Sequence, residues 1–257
     1  MLLVVDIGNT QTVVGLMEGG AVVDHWRIAT VRHRTGDEIA GLLQGFFSLR
    51  GTRLRDEVGE VGIASVVPRL TVQWTEMCAK HLGVTPFVVG PGVRSGMRIA
   101  MKNPTEVGAD RIVNAVAAYE TYGGPCIVCD FGTATTFDVI SAEGDYLGGA
   151  IAPGVEVSME ALTTRAAKLV KVELAEPEHA IGKATAESLQ AGMVYGFAGQ
   201  VGGVVHAIWN ELGERARVVA TGGLAELIAR HTPVISAVDP FLTLRGIEIV
   251  MRRQHPG

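Results

Sequence analysis

The chain has 257 residues, of which 47% are hydrophobic and 19% are charged, and its formal net charge at pH 7 is −5. This length allows one large domain or two of ordinary size, with ample apolar residues for a packed core. The acidic balance and the scattered basic residues argue against a nucleic-acid-binding protein, although they leave room for a small basic pocket. Three cysteines and no visible signal peptide predict a cytoplasmic protein without a disulfide framework.

The first element is a buried strand that ends on a carboxylate. The apolar run 2–5 leads into Asp6-Ile7-Gly8-Asn9-Thr10, and a second strand begins at Thr12. The glycine lets the backbone pass close to a ligand, and the Asn and Thr side chains supply small hydrogen-bond donors. This turn suits an anion such as phosphate with its counter-cation, whereas an ordinary Asx turn would use the same residue types.

The rest of the first half continues with a strand, a helix, a strand, a helix and a strand. We place these elements at residues 21–30, 36–49, 60–67, 68 to about 81, and 85–89. The first helix has an apolar face with acidic residues in its first turn, and the second opens on Pro68. The βββαβαβ order predicts a ribonuclease-H-like domain.

A polar segment, 103–111, then leads into a predicted helix at 112–122. Asp110 and Arg111 lie in the first turns of that helix, whose N-terminus favours a negative partner. From the local sequence alone, two interpretations stay open. Arg111 binds an anionic ligand beside Asp110, or a surface arginine simply follows an aspartate that matches the helix dipole.

The second half repeats the first. Asp130-Phe131-Gly132-Thr133 follows an apolar strand almost half the chain length after the first turn. We predict strands at 125–130, 134–140, 145–151, 217–220 and 234–237, and helices from about 155, 184, 223 and 240. The fold class is therefore α/β, with two ribonuclease-H-like (actin-like ATPase) domains, 1–121 and 122–257, related by internal duplication. The two acidic turns would grip the phosphates of a nucleotide across a cleft between the domains.

Three further segments each have a functional and a structural interpretation. Cys126 and Cys129 have CxxC spacing but lie in a predicted strand, so we expect buried core thiols. Residues 191–209 carry no charge and place glycines on one helical face, which predicts a helix in the core or at a dimer interface rather than a membrane span. The turn Thr221-Gly222-Gly223 exposes backbone amides beside room for a flat ring, although a plain strand-to-helix turn is the alternative.

Several common motifs are missing from the chain, including the Walker GxxxxGK[ST] loop, GxGxxG after the first strand, GxSxG and HExxH. Any nucleotide binding must therefore use the two Asp-Gly-Thr turns.

The residues quoted so far occur in the order and spacing of a known family. The segments Asp6–Thr10, Gly108–Arg111, Asp130–Thr135 and Thr221–Gly223 resemble the motifs of type III pantothenate kinases, within the superfamily of actin, sugar kinases and heat-shock-protein ATPases. Segments 147–154, 181–185 and 189–192 also resemble that family. The likeness therefore covers nearly the whole chain.

The resemblance implies ATP-dependent phosphorylation of pantothenate to 4′-phosphopantothenate, the first step of coenzyme A biosynthesis. Asp110 would be the catalytic base. The residues implied to bind ATP are Asp6, Ile7, Gly8, Asn9, Thr10, Gln11, Thr12, Val13, Thr133, Gly222 and Gly223. Those implied to bind pantothenate are Gly108, Ala109, Asp110, Arg111, Thr185 and Met101. Asp6 would lie near a magnesium ion, and Asp130 would hold a monovalent cation, potassium or ammonium.

The same resemblance implies a homodimer, in which Thr185 reaches substrate across the interface, with neither a nucleic-acid nor a membrane partner. Met101 departs from the family pattern, because many members carry tyrosine there and a thioether can only pack. Ala184, where asparagine is frequent in the family, is a smaller departure. Two other functions are compatible with this scaffold: a non-catalytic regulator of transcription, and a kinase for another small hydroxylated substrate.

Overall fold

The computed structural model describes residues 1–90, 92–166, 169 and 172–254. The chain forms two five-stranded sheets flanked by helices and divides into two compact units. The first unit comprises the described parts of 1–98, 102–117 and 241–254, and the second comprises those of 99–101 and 118–240. The long helix that follows Gly108 begins in the first unit and ends in the second.

The strands of the first sheet are β1 (Leu2–Ile7), β2 (Gln11–Glu18), β3 (Ala21–Ala29), β4 (Glu60–Ser65) and β5 (Phe87–Val89). Those of the second are β6 (Cys126–Phe131), β7 (Ala134–Ile140), β8 (Tyr146–Pro153), β9 (Arg217–Gly222) and β10 (Ala237–Val238). The α-helices are α1 (Gly36–Leu49), α2 (Leu54–Glu57), α3 (Pro68–Met77), α4 (Ala109–Tyr122), α5 (Val155–Arg165), α6 (Thr185–Leu212), α7 (Ala225–Ala229) and α8 (Leu242–Gln254).

The two sheets have the same topology. The first has the order β3-β2-β1-β4-β5, and the second has the corresponding order β8-β7-β6-β9-β10. In each sheet the first three strands pair antiparallel and the remaining pairs are parallel. Asp6 and Asp130 are the penultimate residues of β1 and β6, so they occupy equivalent positions. The predicted duplicated ribonuclease-H-like fold is confirmed.

The core of the first unit lies between its sheet and helices α1 and α3. Alternate residues of β1 point into this core, where Phe47 and Trp74 are among the largest buried side chains. Helix α1 begins with a capping box: the Thr35 hydroxyl accepts from the backbone N–H of Glu38, and the Glu38 carboxylate accepts from that of Thr35. This cap fixes where α1 begins.

Helix α8 packs on the opposite face of the first sheet. Two glycines, Gly15 of β2 and Gly62 of β4, allow the close approach, because a Cβ at either would lie within 3 Å of a methyl group of Leu244 or Ile247. The last helix thus groups with the first unit, whereas the predicted domain 122–257 includes it. The compact units therefore divide the chain differently from a single boundary at 121/122, which stays a prediction about independently folding domains.

In the second unit, helix α6 supplies much of the core. Its Val194, Phe197 and Val201 are buried against the apolar side chains of β6, β7 and β9. The predicted buried helix is confirmed for this face. The glycines of the other face, at 192, 196, 199 and 203, are exposed, and a Cβ at any of them would meet no atom of the described chain within 4 Å.

The structure corrects several predicted elements. The helix that begins at Pro68 is α-helical only to Met77 and continues as a π-helical turn, Cys78–Leu82. The short helix α2 and the 3-10 turn Pro104–Glu106 were not predicted. The strand predicted at 234–237 is wrong, since only Ala237–Val238 pairs as a strand. The Ser236 hydroxyl accepts from the Val218 N–H and donates to the Val218 carbonyl, which also accepts from the Ser236 N–H at 2.9 Å.

The three cysteines are free and buried, which confirms the expectation of core thiols. Burial raises the pKa of the Cys78 and Cys126 thiols to about 12, so both stay protonated and unreactive at neutral pH. Within the described ranges of the chain, no helix combines the length and the apolar run needed to cross a lipid bilayer.

The contact between α8 and α4 gives a stability prediction. A Cβ at Gly246 would overlap the carbonyl group of Val113. We expect Gly246→Ala to lower the free energy of unfolding by about 1–3 kcal/mol, as overpacking of a tight core does. Chemical denaturation followed by circular dichroism measures the change.

Gly41→Ala is the matched control, because Gly41 lies within helix α1 with open space where the Cβ would be. It should raise stability by about 0.5–1 kcal/mol through helix propensity. Equal effects of the two substitutions would contradict the tight α8–α4 contact.

Candidate functional site

The turn between β1 and β2 is held rigid by its own backbone and by Thr30. The Gly8 N–H donates to the Gln11 carbonyl at 3.1 Å, and the Thr30 hydroxyl donates to the Gly8 carbonyl at 2.8 Å. The backbone N–H of Thr30 also donates to the Thr10 carbonyl at 2.9 Å. Asn9 and Thr10 are exposed at the tip. The turn therefore presents short polar side chains on a fixed frame, as an anion site requires.

The first two residues of β2, Gln11 and Thr12, have partners in or just after β3 that the sequence did not indicate. The buried Thr12 hydroxyl lies 2.9 Å from that of Thr30, so it braces the turn from inside. The Gln11 side-chain carbonyl accepts from Arg27 at 2.8 Å, which places a guanidinium beside the turn. Arg27 faces Val13 in the β2–β3 register, and a hairpin register worked out from the sequence could have found it.

The Gly108–Arg111 segment lies near the same turn. Val66, just after β4, donates its N–H to the Ile7 carbonyl at 3.1 Å. A Cβ at Gly108 would lie 3.8 Å from a Val66 methyl group. Val66 thus links the end of β1, which carries Asp6, to the start of α4. The first unit brings together the turn and the helix start that the sequence singled out.

The Asp110 carboxyl group, at the start of α4, has a shifted pKa. Its carboxylate accepts from the backbone N–H of Arg111 at 2.8 Å, and a Cβ at Gly108 would collide with it. Burial raises the pKa of Asp110 above its ordinary value of 3.8, while the hydrogen bond and charge of Arg111 act in the opposite direction. A partly dehydrated carboxylate of this kind is a stronger proton acceptor than an exposed one.

The turn that precedes α4 is closed by its own side chains. The Asn103 amide donates to the Glu106 carboxylate at 2.7 Å, and the Thr105 hydroxyl donates to the Asn103 side-chain carbonyl at 2.8 Å. These bonds fix the path of the chain into the helix, and therefore the position of Asp110.

The corresponding turn of the second unit lies between β6 and β7. The Gly132 N–H donates to the Ala134 carbonyl at 3.1 Å, and the Gly154 N–H donates to the Thr133 carbonyl at the same distance. Thr133 itself is exposed. A Cβ at Gly154 would overlap the carbonyl groups of Gly132 and Thr133, so only glycine lets the end of β8 approach this turn.

Gly222 completes the arrangement at the carboxyl ends of β6 and β9. Its φ of +92° favours glycine, and its missing Cβ would lie 2.7 Å from Asp130 Oδ1 and 2.6 Å from the Phe131 carbonyl oxygen. Two oxygens therefore converge on one point above Gly222. Gly223 is exposed in the turn that follows. The second unit brings Asp130, Thr133 and the di-glycine turn together at one sheet edge.

Met101 and Thr185 lie on separate elements of the second unit. The Met101 sulfur would lie 2.9 Å from a Cβ on Gly148, whose φ is +118°, so the thioether packs on the bare backbone of β8. Thr185 is exposed as the first residue of α6, where the Glu187 carboxylate accepts from the backbone N–H groups of Lys183 and Ala184.

The donor set limits how a metal ion can be held. In the part of the chain that the structure covers, no group of three or more His, Cys, Asp or Glu side chains is arranged to hold one. A single carboxylate at a strand end, such as that of Asp6, is nevertheless compatible with Mg²⁺, which binds through one or two carboxylates together with substrate phosphates.

Comparisons with known proteins identify the family. Residues 2–207 match the family model for type III pantothenate kinase. The chain is 54% identical to a type III pantothenate kinase of Moorella thermoacetica (strain ATCC 39073 / JCM 9320) over 253 residues, which covers 98% of this chain and 99% of the relative. It is 52% identical to one from Streptomyces avermitilis over 260 residues, covering 98% of each.

Among solved structures, the ROK hexokinase of Thermus thermophilus superposes with a TM-score of 0.51 at 13% identity, covering 100% of this chain and 99% of that one. The activator of 2-hydroxyisocaproyl-CoA dehydratase from Clostridium difficile gives a TM-score of 0.54 at 11% identity, with coverages of 100% and 97%. At these identities the likeness is one of fold. The family match and the near-complete coverage of the relatives decide the identification: this chain belongs to the type III pantothenate kinase family.

Proposed function

We propose that this chain transfers the γ-phosphoryl group of ATP to the primary hydroxyl of pantothenate, forming 4′-phosphopantothenate in the first step of coenzyme A biosynthesis. The observation that carries the proposal is the match to type III pantothenate kinases at about half identity over nearly the full chain. Asp6, Asp110 and Asp130 are all present, each held at the end of a strand or the start of a helix.

The proposal assigns the phosphates of ATP to the two acidic turns, one in each unit. The turn after Asp6 offers the exposed side chains of Asn9 and Thr10. The Arg27 guanidinium, which donates to the Gln11 side chain, adds positive charge beside the turn. The turn after Asp130 offers exposed Thr133. Thr12 contributes by bracing the turn, since its hydroxyl bonds to Thr30. Gly222 and Gly223 would leave room for the adenosine.

Asp6 is proposed as the residue that holds magnesium, and Asp130 as the ligand of potassium or ammonium. When bound, these cations neutralise phosphate charge in the transition state. The convergence of Asp130 Oδ1 and the Phe131 carbonyl oxygen above Gly222 supports the monovalent site. The protein's part is to fix these oxygens before substrate arrives.

Asp110 is proposed as the base that takes the proton of the pantothenate hydroxyl. Phosphoryl transfer through a loose transition state asks the protein mainly for positioning and charge neutralisation. Gly108 makes room for the Asp110 carboxylate, and the Arg111 N–H holds it. Gly108, Ala109 and Arg111 would bind pantothenate around it, with Met101 and Thr185 as further contacts.

A homodimer is part of the same proposal. The exposed glycine face of α6 offers a surface on which a second copy of the helix could pack closely, and exposed Thr185 begins that helix. Light scattering of the purified chain tests this, because the mass of a single 27.1 kDa chain in solution would contradict it. A cytoplasmic location is proposed from the biosynthetic role.

The direct test is an assay of ADP release with ATP and magnesium, with and without pantothenate, in potassium or sodium salts. We expect ADP release to require pantothenate and to be faster with potassium or ammonium than with sodium. The same assay with other hydroxylated acids and sugars covers the possibility that Met101 shifts the substrate. Release independent of pantothenate, or equal with an unrelated acid, would refute the assignment.

Asp110→Asn tests the proposed base. The change removes the proton acceptor while keeping size and hydrogen bonding, so we expect kcat to fall by about 10²–10⁴-fold. The melting temperature and the affinity for ATP should be nearly unchanged. Asp56→Asn, which changes an exposed aspartate of the same unit, is the control and should keep wild-type turnover. Near-native turnover in Asp110→Asn would contradict the proposed role of Asp110 as the base.

The raised pKa of Asp110 predicts the pH dependence. A base works only when deprotonated, so kcat/KM for pantothenate should fall as the pH drops through the pKa of Asp110. Because burial raises that pKa, the midpoint should lie above the 3.8 of an exposed aspartate. Steady-state kinetics across pH measures it. In Asp110→Asn the residual activity should not show this fall in kcat/KM at low pH. If the fall persists in the variant, it reports the titration of another group.

A further inference from the structure

A fully buried carboxylate lies on the second sheet outside the residues discussed so far. Asp138 of β7 has no solvent exposure, and its strand neighbours Phe137 and Val139 point into the apolar core on the other face. The Tyr146 hydroxyl donates to Asp138 Oδ1 at 2.6 Å, and the Thr136 hydroxyl donates to Oδ2 at 3.2 Å. A buried carboxyl group needs such hydrogen-bond partners, because burial without them is costly.

Tyr146, the first residue of β8, is also the residue that binds the segment before the proposed pantothenate site. Ile99 pairs with Tyr146 as an isolated parallel bridge, and the Ala100 N–H donates to the Tyr146 carbonyl at 2.8 Å. The next residue, Met101, packs on Gly148 of the same strand. Residues 99–101 accordingly group with the second unit, although the residues on both sides of them group with the first.

The strand register connects this anchor to Asp130. Thr136 lies opposite Asp130 in the β6–β7 pairing, so the two side chains share one face of the sheet. Asp138, two residues further along β7, lies on that face too. Asp130, Thr136, Asp138 and Tyr146 therefore form a polar row from the proposed cation site to the segment that carries Met101.

We infer that Asp138 and Tyr146 are positioning residues for pantothenate. Through the hydroxyl of Tyr146, Asp138 fixes the backbone to which Ile99 and Ala100 are bonded, and this holds Met101 in place at the substrate site. The identity of the substrate in this inference rests on the proposed function. The anchoring of residues 99–101 by Tyr146 does not depend on that function.

Tyr146→Phe tests the inference, because it removes the hydroxyl and keeps the ring. Loss of one hydrogen bond to a charged group should raise KM for pantothenate by about 3- to 10-fold, with KM for ATP within about twofold of wild type. Asp138→Asn keeps an acceptor oxygen for Tyr146 and should give a smaller rise. Tyr119→Phe is the matched control, since its hydroxyl bonds only weakly to the Ala142 carbonyl at 3.4 Å in the same unit, and it should leave both KM values unchanged.

Hydrogen exchange of the full chain supplies a readout that needs no substrate. In Tyr146→Phe the Ala100 amide should exchange faster, while the Gly154 amide, bonded to the Thr133 carbonyl at the far end of β8, keeps its protection. Unchanged protection at Ala100, or equal loss at both amides, would overturn the inference, as would equal rises in the two KM values. If wild type fails to phosphorylate pantothenate, the proposed function falls while the exchange comparison still decides the anchor.

Discussion

A carboxylate at the end of a buried strand constrains everything around it. Leaving water costs an ionised group several kcal/mol unless donors or cations replace the lost hydration. Both sheets place such a group at the penultimate residue of their first strand, Asp6 in one and Asp130 in the other. Each is followed by a tight turn that glycine makes possible. The duplicated topology therefore brings the same chemical requirement to both units.

Several glycines allow close approach of neighbouring groups because they carry no side chain. At Gly108 it makes room for the Asp110 carboxylate, and at Gly222 it leaves a point on which two oxygens converge. At Gly148 it admits the Met101 thioether, and at Gly154 it lets β8 approach the second turn. In each case a methyl group would occupy the space that a functional group now fills. The abundance of glycine in the sequence therefore reflects close approach at the site as much as turns.

The sequence predicted the two-sheet fold because its signals are local and repeated. Apolar runs ending on Asp-x-Gly mark the first strand of each sheet, and α1 was predicted with its observed bounds because an apolar face and acidic residues in its first turn define it. The candidate site residues within the turns were named from the motif itself, and their roles stay predictions. The π-helical turn at Cys78–Leu82 was not, because it depends on packing rather than on propensity.

Residues that act from a neighbouring strand escaped prediction for a related reason. Arg27 of β3 and Thr30, which follows that strand, support the first turn, and Tyr146 holds residues 99–101 through a bridge that only the folded sheet creates. The strand predicted at 234–237 is only Ala237–Val238 in the structure, and the side-chain hydrogen bonds between Ser236 and Val218 could not be read from a pattern of apolar residues.

The return of α8 to the first sheet has a consequence for biosynthesis of the chain. The face of that sheet with Gly15 and Gly62 is covered by Leu244 and Ile247, which are translated after every strand of the second sheet. While the nascent polypeptide is still emerging from the ribosome, that face is bare, whereas all the strands of the second sheet have already been made. The first unit therefore cannot cover both faces of its sheet until the whole of the second unit has been synthesised.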